Sequence, residues 1–248
     1  MTIITNREEA LEVVKGNGRD LRHVDETLKK DKEIVLAAVN AWGTALEFAD
    51  ESLKKDREIV MAAVKNNCYA LEHADKSLQK DREIVMVAVK DDGLMLEFAD
   101  ESLKMDREIV LVAVKLHYQA LEYADESLLK DREIILAAVK QNSDTLESAD
   151  KSLKKDREIV MEAIKQDGTG FAFEYADESL QKDREFVLAA VKEGVWALDF
   201  ADESFKKDRE IVMSAVTSKT NGSALYHADE SFKKDREIVM AAVKQEGL

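Results

Sequence analysis

Apolar and polar positions along this chain follow one motif that returns every 25 residues or so. In the copy that starts at Asp56, a spacing of about 100° per residue puts Ile59, Val60, Ala63 and Val64 on one stripe. Met61 lies at the edge of that stripe, with Glu58, Ala62 and Lys65 opposite. The pattern predicts a helix opened by Asp56, whose carboxylate suits an N-cap, with Glu58 adding negative charge to the first turn. It ends at Asn66-Asn67-Cys68, where other copies place Gly43 and Gly93. A shorter helix is expected from Tyr69 to about Ala74, with Ala70, Leu71 and Ala74 inward and Leu78 as a further anchor. Asp75-Lys76-Ser77 reads as a capped turn leading to the next copy.

Copies begin at Asp31, Asp56, Asp81, Asp106, Asp131, Asp156, Asp183, Asp208 and Asp235, with Asn6 as a degenerate first start. The steps are 25 residues, except for two of 27 that lengthen the connection between the long and short helices, at Thr169-Gly170-Phe171 and at Ser218 to Ser223. A unit this small cannot bury its own apolar face and has to stack on its neighbours. The expected fold is an all-α solenoid of about ten repeats, forming one domain over residues 1–248. Residues 1–30 are read as a divergent N-terminal cap, 31–234 as eight regular repeats and 235–248 as a truncated last one. Glu9 stands where later copies have Ile or Phe and Glu12 where most have Ala or Val, as a polar outer face requires, whereas the last copy stops before its short helix and leaves an end suited to self-association. Helices about 8–10 Å apart predict a rod or shallow superhelix of roughly 80–100 Å, and a right-handed solenoid is the expected hand.

The run Asp131-Arg132-Glu133-Ile134, then Ala137-Ala138-Val139-Lys140, together with Ala120-Leu121-Glu122-Tyr123-Ala124, resembles a tandem-repeat family known only as a domain of unknown function. The resemblance covers Asn6 to Leu248 and implies a helical repeat without implying a reaction. It also implies an Asn-Gly pair after the lysine, from which Asn67-Cys68, His117-Tyr118 and Asn142-Ser143 depart.

Composition narrows the function. The chain has no proline and nine glycines, which suits helices, and its net charge of -15 opposes binding to nucleic acid or an anionic membrane. Cys68 is the single cysteine, so no internal disulfide forms, and the N-terminal residues lack the pattern of a signal peptide. An intracellular, cytoplasmic setting is expected, with no membrane span. Asn221-Gly222-Ser223 is read as a chance match to a glycosylation acceptor.

No catalytic residue, metal site or cofactor is expected, and the chain is not read as an enzyme. His23, His73 and His227 share a position with Phe48, Phe98, Tyr123, Tyr175 and Phe200, which suggests a half-buried aromatic ladder. Asp25, Asp50, Asp75 and their equivalents precede Ser or Thr by two residues and are read as turn caps in preference to calcium ligands. Arg57 and its equivalents should pair with acids of neighbouring copies, and Met61, Met86, Met161, Met213 and Met240 should fill the core.

Among the copies, the long-to-short connection varies most, and it holds both tryptophans. Because each repeat presents it at one edge, Trp42, Tyr69, Leu94, His117, Tyr118, Phe171 and Trp196 form the candidate partner-binding set, for an unidentified protein or peptide. The alternative is a structural, self-assembling array, including a designed consensus, with no separate ligand.

Overall fold

A computed structural model describes residues 3–218 and 224–246 of the chain. The expected connection from Ser218 to Ser223, with its Asn221-Gly222-Ser223 triplet, lies outside the described residues from 219 on. The protein is an all-α solenoid. Among the described residues its long helices are α1 (Arg7–Gly16), α2 (Lys32–Ala41), α3 (Arg57–Asn66), α4 (Arg82–Asp91), α5 (Arg107–Leu116), α6 (Arg132–Val139), α7 (Arg157–Asp167), α8 (Arg184–Glu193), α9 (Arg209–Val216) and α10 (Arg236–Glu246). The residues fall into two compact units, 1–128 and 129–248.

Each long helix begins as its sequence dictates. Asp56 Oδ1 accepts the backbone N–H of Glu58 and Ile59 at 2.9 and 3.3 Å, satisfying amides that have no partner inside the helix. Ile59, Val60, Ala63 and Val64 are at most 2% exposed, and the same four positions are buried in α4 and α5 of the first unit and in α6 to α9 of the second. The connection then runs extended through Asn67, φ −154°, into Cys68–His73, a six-residue 3₁₀ helix in place of the short α-helix expected. The tighter i→i+3 turn buries Cys68, Ala70 and Leu71, whereas in two repeats of the second unit the equivalent element is a four-residue α-helix, Ala197–Phe200 and Ala224–His227.

Turn caps follow at Asp50, Asp75 and Asp100, whose Oδ1 accepts both the N–H and the hydroxyl of the serine two residues on. These aspartates also tie repeats together through the backbone. Asp75 N–H donates to the Lys54 carbonyl at 3.0 Å and Asp100 N–H to that of Gln79 at 3.0 Å, and in the second unit Asp202 bonds Gln181 in the same way at 2.9 Å. At the N-terminal end Ile4 supplies the equivalent link, donating to His23 and accepting from Asp25 at 2.9 Å each, while Glu9 and Glu12 face solvent.

The methionines depart from expectation. Met61, Met86, Met161 and Met213 are half-buried and Met240 is 49% exposed, so this row is not core. Met61 sits with Arg57, Ala62 and Lys65 in an open groove beside Asn40 and Asn66, and Met161 lines another with Arg157 and Phe186. Neighbouring long helices do not close over the edge of the stripe.

Candidate partner-binding edge

In the first unit the edge is built at the end of each long helix. Trp42 caps α2 in an extended conformation, is 40% exposed, donates from Nε1 to Thr44 and carries the Arg19 guanidinium 4.7 Å from its ring centre. Tyr69 is 48% exposed and donates its hydroxyl to Asp92 Oδ2 of the next repeat at 3.0 Å, which pushes the Tyr69 pKa up. Asp92 Oδ1 lies 3.2 Å from His117 Nδ1 of the repeat after that, without hydrogen-bond alignment, so Tyr69, Asp92 and His117 span three consecutive repeats. Leu94, His117 and Tyr118 are half-buried. Tyr118 occupies the slot of Gly43 and Gly93, next to its helix end. Leu116, at the end of α5, is 45% exposed and extends the edge, although it does not belong to the expected set.

In the second unit the expected residues touch. Asp167 folds the lengthened connection, its carboxylate accepting the Thr169 hydroxyl and the Gly170 and Ala172 N–H groups, with Gly168 and Gly170 at φ 68° and 97° where glycine is favoured. The Thr169 carbonyl then accepts the Trp196 N–H at 3.1 Å. Phe171 consequently stacks on Trp196 with ring centres 4.8 Å apart, and Trp196 meets His227 edge-on at 4.5 Å. Phe200 and Tyr226 complete the group at 5.7 Å from Phe171 and 5.5 Å from His227. His227 Nδ1 is 2.7 Å from Asp199 Oδ2. Phe171 is 46% and Tyr226 81% exposed.

The aromatic ladder is half-buried, as its positions suggested: Phe48, His73, Phe98 and Tyr123 in the first unit, Tyr175, Phe200 and His227 in the second. In the second unit its contacts with connection residues of the preceding repeat, Phe200 with Phe171 and His227 with Trp196, are visible only in three dimensions. The structure also shows an amide clamp that the sequence reading missed. Asn66 Oδ1 accepts the Gly43 N–H at 2.6 Å while its Nδ2 donates to the Asn40 carbonyl; Gln166 accepts the Ser143 N–H in the same way and donates to the Gln141 carbonyl, one position further along the repeat. Recurrent Asn or Gln just after the lysine, at Asn66, Gln166 and Gln245, was its available signal.

Among the described residues no three His, Cys, Asp or Glu side chains gather as a metal site requires, and no helix is long and apolar enough to cross a membrane. No curated protein and no solved structure matches the chain. A family model described as a domain of unknown function, DUF4116, matches seven overlapping segments: residues 6–54, 38–79, 81–130, 131–181, 156–206, 183–219 and 208–248. With its repeats matched from residue 6 to residue 248, the chain belongs to the DUF4116 family.

Proposed function

We propose that the chain is a non-enzymatic interaction scaffold that binds a protein or peptide along its connection edge. The observation that carries this reading is the contact chain Phe171, Trp196, His227 and Tyr226, which joins three repeats into one apolar surface and leaves Phe171 and Tyr226 open to solvent. Aromatic side chains held by their neighbours lose little entropy on binding and dominate protein interfaces. The excess of acids over bases speaks against nucleic acid as the partner, and one buried, unpaired cysteine suits a reducing, cytoplasmic setting. Affinity capture from a cell lysate tests the proposal, comparing the chain with a variant carrying Trp42→Ser, Tyr69→Ser, Phe171→Ser and Trp196→Ser, at matched helicity and melting temperature. A partner retained only by the unchanged chain supports the edge. Equal capture by both, or capture by neither, refutes it.

A second reading is self-association through α10. Val243 is 56% and Met240 49% exposed, whereas Val64, at the position of Val243, is 2% exposed. Burial of that face by another copy would make mass rise with concentration in sedimentation and fall with Val243→Ser; a constant monomer mass excludes it.

A further inference from the structure

The contact between successive repeats is built the same way again and again, and its chemistry goes beyond the connection edge. The cation that opens one long helix holds the two acids that open the next: Lys32, Arg57 and Arg82 do so in the first unit, and Arg132, Arg184 and Arg209 in the second. The lysine two residues before that cation faces the aspartate of the following turn, as Lys207 does Asp229 at 3.9 Å. The backbone N–H of the same aspartate donates to the carbonyl before the lysine, Asp229 to Lys206 at 3.0 Å. Along α9 these groups stand over a closed apolar stripe, in which Val212 and Val216 are fully buried.

On α10 each of these positions recurs and is open. Among the described residues neither Arg236 nor Lys234 forms an ion pair, and no following turn donates to the Lys233 carbonyl. Met240 and Val243 lie on the helix face of Arg236 and are exposed, although Val216, at the position of Val243, is fully buried. Two unmatched cations in a chain of net charge -15 lack an acid in the right place, not acid in general. The chain's own first repeat does not supply it. Asn6 replaces the aspartate, Glu9 replaces the isoleucine, and the Asp25 N–H is already bonded to the Ile4 carbonyl. We propose that α10 docks a repeat-type segment brought by another protein: an Asp-x-Ser turn followed by a helix that opens Asp-x-Glu-Ile-Val, its acids on Arg236 and Lys234 and its apolar face over Met240 and Val243.

The test uses the full chain and a fluorescent synthetic peptide copying residues 44–66, which holds Asp50, Ser52, Asp56 and Glu58, read by anisotropy. Saturable binding of one peptide per chain is expected below ~1 mM, weakened by the ordering of the peptide as it docks. Arg236→Gln with Lys234→Gln should weaken it by about tenfold, and Val243→Ser by a similar factor. Lys165→Gln with Lys192→Gln changes net charge equally at exposed lysines and should change affinity less than about twofold. Against a peptide carrying Asp50→Asn, Asp56→Asn and Glu58→Gln, the Arg236→Gln and Lys234→Gln pair should cost nothing further, because the groups it removes no longer have a counterpart. Equal weakening by the two cation pairs, an undiminished loss with the neutralised peptide, or no saturation by ~1 mM would overturn the proposal. So would a sedimentation mass that rises with chain concentration and is not lowered by the peptide, which would put a second copy on α10. Failure here leaves the connection edge standing, since the aromatic-to-serine variant tests that surface separately.

Discussion

Arg57 and Asp81 belong to successive repeats and meet with Nε 2.6 Å from Oδ2. The other oxygen of Asp81 accepts the N–H groups of Glu83 and Ile84 at 3.0 and 3.2 Å, so one carboxylate both docks a repeat on its neighbour and starts the neighbour's helix. Substitution separates the two roles. Asp81→Asn keeps an oxygen for the amides and loses the charge, whereas Asp81→Ala loses both. The cap is the larger part, because the Arg57 side chain is half exposed and its charge is screened. Urea unfolding should show a loss of about 1 kcal/mol for the alanine variant and a clearly smaller one for asparagine. Equal losses would assign the stabilisation to the ion pair.

Acid should unfold the protein through these same groups. Asp31, Asp81 and Asp106 are held below the usual carboxylate range first by the arginine of the preceding repeat, and Asp56 by Lys32. Asp50, Asp75 and Asp100 are lowered first by the serine hydroxyl they accept. A carboxylate whose folded pKa is depressed contributes its full stability above its unfolded value, about 4, and loses it as pH falls through the folded value. The melting temperature should therefore be level between about pH 7 and 5 and drop steeply below about pH 4. A melting curve unchanged down to pH 3 would contradict the assignment of these aspartates.

What was legible in the sequence is what one helix decides alone. The stripe of Ile59, Val60, Ala63 and Val64 and the caps at Asp56 and Asp50 follow from angular spacing and from side chains that bond their own backbone two or three residues on. Met61 was misplaced because spacing gives a direction on a helix and not how far the next helix covers it. The contact of Phe171 with Trp196 depends on a loop folded by Asp167, and the bridge from Tyr69 through Asp92 to His117 depends on distances between repeats. Neither has a period to read. The edge itself was visible because its residues vary while the helices around it do not.

Cys68 provides a test of the packing between repeats. Its thiol is 4% exposed, and burial, with Asp91 accepting from it and Asp92 nearby, pushes its pKa up to about 12. At pH 8 the thiolate population is then about a thousandfold below that of a free cysteine. Alkylation by iodoacetamide should be undetectable in the native protein on the time in which a urea-unfolded sample is fully labelled. Rapid native labelling would mean that the repeat containing Cys68–His73 opens easily.

Gly43 and Gly16 should respond to alanine with opposite signs. A Cβ at Gly43 would lie 2.5 Å from the Ala63 carbonyl oxygen and 2.8 Å from the Asn67 nitrogen, both backbone atoms of the next repeat, so no side-chain rotation relieves the clash. The Gly43 N–H is also the group that Asn66 clamps, so moving this strand of chain outward loses that bond. At Gly16, in the last turn of α1, a Cβ meets nothing within 4 Å. Gly43→Ala is expected to destabilise by roughly 1–3 kcal/mol, as overpacking against a rigid neighbour does. Gly16→Ala should stabilise by up to about 1 kcal/mol through helix propensity and a less free unfolded chain. Cys68 and Ser143 fill the Gly43 slot elsewhere, so neighbouring repeats do not all approach equally closely. A neutral Gly43→Ala would mean that the repeats bearing Gly43 and Ala63 can also separate to that wider spacing without loss.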